Sequence, residues 1–263
     1  MALIECKFYS EVLGLSTSMT VLLPQAVKDK PGCWHHASGN GRHKTLYLLH
    51  GLGDDHSAWL RQTSIERYAA PLGIAVVMPE VHRSFYSDMA CGGEYERFTA
   101  DELPRIARSF FPLSDAREDN YIAGLSMGGY GAFKLAFNYP DHYCAAASLS
   151  GALDMASRFE DSDNPHQQDA KNIFGDLPCL RDTKHDLFFT AKELLQSGRP
   201  VPNLYQCCGT ADFLYEDNLR FRDFAQQEQL PLLWQEDAGY AHTWDYWDLG
   251  IQSVLAWMFQ EES

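Results

Sequence analysis

Residues 121–140 read YIAGLSMGGYGAFKLAFNYP, and this stretch decides the fold. Its opening YIAGL is a short apolar run typical of a buried strand, and the residues after Ser126 have the composition of a helix. GLSMG at 124–128 is a G-x-S-x-G, which at a strand-to-helix junction is the pattern of a nucleophile elbow. Side chains on either side of such a turn must be small, and Gly124 and Gly128 meet that demand.

A glycine-rich phosphate loop or a plain tight turn is the alternative interpretation of these glycines. A phosphate loop requires G-x-x-x-x-G-K-[ST] or G-x-G-x-x-G, and this stretch contains neither pattern. Gly129 and Gly131 would let the following helix lie close to neighbouring strands. We therefore predict that Ser126 is a nucleophile.

Outward from this turn, short apolar runs alternate with segments of helical periodicity. Such alternation predicts βαβ units in an α/β fold, with a mainly parallel, doubly wound sheet and helices on both faces. The first two strands have no helix between them and predict an antiparallel edge hairpin. The predicted strands are Ile4–Tyr9, Met19–Leu23, Thr45–Leu49, Ile74–Met78, Tyr121–Leu125, Ala145–Leu149, Leu204–Cys208 and Leu232–Gln235, and the predicted helices are 62–70, 99–111, 127–138, 186–196, 215–229 and 244–260.

Two segments interrupt the alternation. Residues 31–44 are rich in glycine, histidine and polar residues, which predicts a loop. Residues 152–202 form a long connection with an acidic patch at 160–169, and we expect a cap-like or pocket-shaping insertion there. We find no linker or internal repeat, so residues 1–263 are predicted to form a single domain.

The composition is that of an ordinary globular protein, with 45% hydrophobic and 22% charged residues. The net charge of −15 argues against nucleic acid and an anionic membrane surface as partners, because phosphate binding needs clustered Lys and Arg. A neutral small molecule fits this charge, and a homo-oligomer is compatible with it.

Seven scattered cysteines include no C-x-x-C pair, which favours reduced, apolar thiols. Neither a signal peptide nor an apolar run of about 18 residues is present, so we predict a cytoplasmic protein. Cys33, His35, His36 and His43 fit no standard metal spacing. We expect no metal and no other cofactor.

A serine nucleophile needs a histidine base, and on this fold the chain order is Ser, then Asp or Glu, then His. Four histidines follow Ser126, at 142, 166, 185 and 242. His242, in DAGYAHTWDYW, lies between the last strand and the last helix, which is where the base is expected.

The acid should lie in a loop after a strand that precedes His242. Asp212, in CCGTADFLYEDN, follows the strand Leu204–Cys208 and is the first choice. Asp154 is a loop alternative, whereas Glu216 and Asp217 are expected to be solvated helix charges.

The oxyanion of an acyl-transfer reaction needs backbone N–H donors. Met127 supplies one, and the YLLHGLGDD segment at 47–55 supplies the other from Leu52, with Gly51 as the alternative. His50 is expected to support this loop. Aromatic residues near these loops are candidates for the substrate pocket: Trp59, Tyr86, Tyr95, Phe213, Tyr240 and Trp244.

HGLGDDHSAW, AGLSMGGYGAFKLA, CGTADFLYEDN and GYAHTWDYW closely resemble segments of bacterial tributyrin-esterase-type serine esterases. These belong to the wider esterase D and S-formylglutathione hydrolase group. The resemblance spans nearly the whole chain and implies an α/β-hydrolase fold, a carboxylesterase of short acyl esters and no cofactor. It places the nucleophile, acid and base on Ser126, Asp212 and His242.

Two other functions are considered. A thioesterase acting on S-formylglutathione would use the same triad, but its anionic substrate would need basic residues near the mouth, such as Arg61 or Arg83. A non-catalytic binding scaffold is disfavoured, because such proteins usually lack a triad member and all three are present here.

Overall fold

The computed structural model describes residues 1–25, 41–160, 166–175 and 180–259 in full, and the backbone of 28–30 and 33–34. Eight strands form one sheet in the order β1-β2-β6-β5-β7-β8-β9-β10. β1 pairs antiparallel with β2 and β2 with β6, and all the other pairs are parallel. The predicted mainly parallel sheet with an antiparallel edge hairpin is therefore confirmed. The strands are β1 (Ala2–Ser10), β2 (Leu15–Leu23), β5 (Thr45–Leu49), β6 (Ala75–Pro79), β7 (Asn120–Leu125), β8 (Ala145–Leu149), β9 (Asn203–Gly209) and β10 (Leu232–Asp237).

Helices cover both faces of the sheet, as predicted, and each face has its own apolar core. One core includes side chains of α4, α5, α8 and α9, and the other includes side chains of α1, α2 and α10. No helix in the described part of the chain is both long and apolar enough to span a bilayer. The helices are α1 (Ala58–Gln62), α2 (Ile65–Ala69), α3 (Tyr95–Arg97), α4 (Leu103–Phe110), α5 (Met127–Asn138), α6 (Met155–Glu160), α7 (Gln167–Phe174), α8 (Leu187–Ser197), α9 (Tyr215–Gln227) and α10 (Trp244–Met258).

The helix predicted over 62–70 starts too early, because Thr63 ends a separate, unpredicted helix, α1, and α2 begins only at Ile65. Thr63 has an extended backbone (φ −133°, ψ 174°) and ends α1. Its hydroxyl donates to the Trp59 carbonyl at 2.6 Å and accepts the Ile65 N–H at 3.2 Å. A threonine side chain that bonds local backbone groups in this way competes with the helical ladder.

Two other predicted segments also differ from the structure. The helix predicted over 99–111 begins earlier, since α3, a π-helical turn at Phe98–Glu102 and α4 follow one another without a break. Within the predicted loop 31–44, Cys33–Trp34 (β4) pairs with Lys28–Lys30 (β3) in a small separate sheet. Residues 31, 32 and 35–40 of that loop lie outside the described residues.

A buried lysine on α5 braces a strained segment after β6. Lys134 is fully buried, and its Nζ lies 2.9 Å from Glu96 Oε2 and donates to the Tyr86 carbonyl at 3.0 Å. Burial lowers the Lys134 pKa to about 8 although the Glu96 carboxylate opposes the shift. His82, Phe85 and Tyr86 all have positive φ, near 50°, which L-residues rarely adopt. The Lys134 ammonium therefore stabilises a backbone conformation that these residues would not adopt from local preferences alone.

Replacing Lys134 tests whether its buried contacts stabilise the fold. Lys134→Met should lower the free energy of unfolding by about 2–3 kcal/mol, because the Tyr86 carbonyl loses its donor and Glu96 keeps only the half-exposed Lys184 ammonium, 3.0 Å away, of its two described cations. Lys134→Met/Glu96→Gln should recover part of that loss. In the exposed Arg97–Glu94 pair, Arg97→Met should cost less than about 1 kcal/mol. Urea unfolding of the wild type and the three variants measures these differences. Equal losses for Lys134→Met and Arg97→Met would contradict the stabilising role of Lys134.

Candidate active site

The turn from β7 into α5 places Ser126 in a strained conformation. Its φ is 52° and its ψ is −116°, a conformation that a non-glycine residue adopts only when the surroundings enforce it. A Cβ at Gly124 would lie 2.3 Å from the Gly128 carbonyl oxygen, and one at Gly128 would lie 2.5 Å from the Leu49 carbonyl oxygen of β5. Both positions therefore need glycine for steric reasons, because the turn packs against backbone.

Ser126, His242 and Asp212 form one chain of hydrogen bonds. Ser126 Oγ lies 3.0 Å from His242 Nε2, and His242 Nδ1 lies 2.9 Å from Asp212 Oδ2. Asp212 is 5% exposed, and its Oδ1 also accepts the Leu214 N–H at 2.8 Å. A buried acceptor at Nδ1 leaves Nε2 free to take a proton from the serine hydroxyl.

The loops that carry Asp212 and His242 are joined to each other by hydrogen bonds. Ala211 N–H donates to the Tyr240 carbonyl at 2.9 Å, and Thr210 N–H donates to the Asp237 carbonyl at 3.0 Å. Gly239 N–H donates to Thr210 Oγ1 at 2.9 Å. These bonds fix the separation of Asp212 and His242, and no local sequence pattern predicts them.

The alternative acids lie in ion pairs elsewhere. Asp154 is 4% exposed and binds Arg220 Nε at 2.7 Å. Asp217 is 6% exposed and pairs with Arg158 at 2.9 Å. The expectation that Asp217 is a solvated helix charge is therefore wrong, because two arginines compensate its burial. Glu216 is exposed, as expected.

The loop after β5 presents backbone amides beside the serine. Within the described residues, no carbonyl accepts a hydrogen bond from the amide of Leu52 or of Met127. His50 holds the loop, since its Nδ1 lies 2.8 Å from the Gly51 carbonyl and its Nε2 accepts the Val81 N–H at 3.2 Å. Burial lowers the His50 pKa, so the neutral Nδ1–H tautomer fits both bonds. Tyr86 adds a hydrogen bond from its hydroxyl to the His50 carbonyl at 3.0 Å.

A cleft of about 450 Å³ opens at the serine. Of the six predicted pocket aromatics, only Trp244 is among the residues that line it. Trp247, which is not among those six, is a buried core residue of α10 that lines the cleft as well and lies edge-on to the His242 ring at 4.8 Å. The lining residues are Gly51, Leu52, Asp54, Leu125, Ser126, His242, Thr243, Trp244 and Trp247.

The other five predicted aromatics lie around the cleft or behind it. Trp59 is 1% exposed and supports the Trp244 ring edge-on at 5.3 Å, with its N–H on the Leu49 carbonyl. Tyr86 and Tyr95 are buried in the core that contains α5. Phe213 is 68% exposed with its ring 4.5 Å from that of His242, and Tyr240 packs on Tyr246.

No residue of the predicted insertion 152–202 lines this cleft among the residues that the structure describes. The described part of the insertion forms α6, α7 and α8. Of the four residues considered for a metal site, His35, His36 and the Cys33 side chain lie outside the described part of the structure. In the part of the chain with described side chains, no group of three or more metal-binding side chains comes together.

A strained serine at a strand-to-helix turn, a histidine after the last strand and a mainly parallel sheet define a serine hydrolase with the α/β-hydrolase fold. Residues 10–258 match the model of the family described as "Putative esterase". An acetyl esterase of Caldicellulosiruptor saccharolyticus is 32% identical, and the match covers 98% of each chain. The chain belongs to this esterase family and is a carboxylic ester hydrolase.

Two solved structures from Staphylococcus aureus are similar over nearly their whole length. The fluorophosphonate-binding serine hydrolase FphF is 33% identical with a TM-score of 0.88, covering 99% of each chain. The S-formylglutathione hydrolase FrmB is 33% identical with a TM-score of 0.84, covering 98% of this chain and 99% of that one. These similarities confirm the fold and the family that the sequence motifs imply.

The elbow glycines provide a direct test of the turn. Gly128→Ala should lower the free energy of unfolding by about 3 kcal/mol or more, because the added methyl would overlap backbone of β5. Gly73→Ala is the matched control, since a Cβ there meets nothing within 4 Å and only its left-handed backbone (φ 63°) disfavours alanine. The control should cost about 1 kcal/mol. Thermal and urea unfolding measure both, and equal costs would show that the contact across the turn is unimportant.

Proposed function

We propose that the protein is a serine carboxylesterase of short-chain, neutral acyl esters, with Ser126 as nucleophile, His242 as general base and Asp212 as the orienting acid. The observation that carries this proposal is the continuous hydrogen-bonded chain from Ser126 Oγ to the Asp212 carboxylate, at the edge of an open cleft. The similar acetyl esterase supports a small acyl group.

The reaction proceeds in two halves. Ser126 Oγ attacks the ester carbonyl as His242 Nε2 takes its proton, and Asp212 stabilises the resulting imidazolium. The amides of Leu52 and Met127 donate to the oxyanion. His242 then protonates the leaving alcohol, which gives an acyl-enzyme on Ser126. In the second half His242 activates water, and the acid is released.

The lining of the cleft favours a neutral substrate. Besides His242, Asp54 is the one titratable side chain among the described residues that line the cleft, and burial raises its pKa. The other described lining residues are uncharged, and they include Trp244 and Trp247. An anionic substrate would meet the Asp54 carboxylate and no lining cation, so an uncharged ester fits best.

A thioesterase acting on S-formylglutathione is the second candidate, supported by the similarity to FrmB. The basic residues expected for it lie outside the cleft lining. Arg83 binds Asp169 at 2.7 Å, and Arg61 is exposed on α1. The two candidates therefore differ in how the enzyme is expected to respond to substrate charge.

We further propose a cytoplasmic setting and a small-molecule substrate with no nucleic-acid partner. The net charge of −15 supports the absence of a nucleic-acid partner. The five cysteines with described side chains are all free, which fits a reducing compartment.

Removing the nucleophile tests the mechanism. Ser126→Ala should lower kcat/KM for p-nitrophenyl acetate by about 10⁴-fold or more while unfolding at the wild-type temperature, because no other group supplies the attacking oxygen. Ser109→Ala, on the exposed end of α4, should retain full turnover. Turnover by Ser126→Ala near the wild-type rate would refute the assignment.

Neutralising the Asp54 carboxylate tests how substrate charge affects turnover of the two candidate substrates. Asp54→Asn should raise kcat/KM for S-formylglutathione relative to that for p-nitrophenyl acetate by about 3–10-fold at low salt, because a nearby like charge is removed. Asp223→Asn, exposed on α9, should leave the ratio unchanged. A wild-type enzyme that already prefers the thioester would favour the second candidate over the first.

A further inference from the structure

The outer edge of the sheet is a long strand without a described partner. β1 pairs with β2 over all nine of its residues, Ala2 to Ser10, and no described strand pairs with its other side. Leu3 is 49% exposed and Tyr9 is 61% exposed, and Glu5 and Lys7 between them are exposed as well. Alternate residues of a strand point to one face, so these four side chains form one exposed row.

This row is complementary to itself in the antiparallel direction. Opposite side chains in an antiparallel pair share a face, so a two-fold axis relating two copies of β1 must pass through a residue. An axis at Cys6 pairs all nine residues. It places Leu3 against Tyr9 of a second copy and Glu5 against Lys7 of that copy, and each of these contacts occurs twice.

The neighbouring registers lack this match. An axis at Glu5 would place the two Glu5 carboxylates opposite each other, and an axis at Lys7 would do the same with the two ammonium groups. Both registers also pair two residues fewer on each strand. Like charges directly opposite destabilise a sheet, whereas opposite charges and apolar pairs stabilise it. The two charges therefore select the Cys6-centred register.

Charges on an edge strand usually prevent pairing with other chains. Here they would disfavour every partner strand except one with the reverse charge order, and the antiparallel copy of β1 has that order. The opposite sheet edge, β10, shows the contrast. Pairing two copies of β10 about Gln235 would set Leu233 against Asp237 and Trp234 against Glu236, which matches apolar side chains with carboxylates.

We propose that two copies of this chain associate through β1, antiparallel and centred on Cys6, to form a symmetric dimer with one continuous sixteen-stranded sheet. The partner is a second copy because the charge and apolar pattern of the edge is satisfied by its own reversed sequence. No residue of β1 lines the cleft at Ser126, so each active site stays open in the dimer.

Charge reversal with rescue tests this interface. In analytical ultracentrifugation of the full chain, the wild type should be a dimer at micromolar concentration. Lys7→Glu and Glu5→Lys should each raise the dimer Kd by about tenfold or more, because each sets like charges opposite each other twice. Glu5→Lys/Lys7→Glu should restore the dimer. Lys171→Glu, exposed on α7, changes the net charge as Lys7→Glu does and should have no effect.

Oxidative cross-linking gives a second, independent readout. Directly opposite Cβ atoms lie about 4.5–5.5 Å apart, so copper phenanthroline should join the two Cys6 thiols of a dimer, and mass spectrometry would identify the linked peptide. Turnover of p-nitrophenyl acetate verifies that every variant is folded. A monomeric wild type, single variants that stay dimeric, or a double variant that is folded but monomeric would each overturn the proposal.

Discussion

The contact between Gly124 and Gly128 is the constraint on which the site depends. The absence of a side chain at both positions lets the first turn of α5 press against the ends of β5 and β7. That contact forces the left-handed backbone of Ser126 and thereby exposes its hydroxyl. It also sets the loop after β5 beside the serine, so the proposed nucleophile and the proposed oxyanion donors depend on the same close packing.

The rest of the site consists of loops that hydrogen bonds from buried residues hold in place. Neutral His50 and the Tyr86 hydroxyl fix the loop after β5, and the buried Lys134 ammonium fixes the segment that carries Tyr86. The loops that carry Asp212 and His242 are joined by the hydrogen bond from the Ala211 N–H to the Tyr240 carbonyl. Rigid support of this kind keeps hydrogen-bond donors and acceptors oriented before substrate binds, which is how such sites stabilise developing charge.

The sheet and the candidate residues Ser126, Asp212 and His242 could be predicted from the sequence because each of them lies in a recognisable sequence pattern. Apolar runs and glycine spacing are read within a short window, and the order of the three residues along the chain follows from the fold class. The pocket was predicted poorly, because whether an aromatic ring lines a cleft depends on residues far away in sequence. Trp59 is buried behind Trp244, and Trp247 belongs to the core that contains α10 and also lines the cleft beside His242. The ion pairs of Asp217 likewise depend on residues distant in sequence.

The distance along the chain between Ser126 and His242 has a consequence for biosynthesis. Their side chains meet across 116 residues, and α10, which supplies Trp244 and Trp247, is the last described helix. A nascent chain therefore holds the serine turn long before the histidine and the cleft wall have been made. Contacts between segments so distant form late, because closing a long loop costs entropy. Hydrolytic competence should thus appear only in the final docking step of folding, and its return during refolding reports that step.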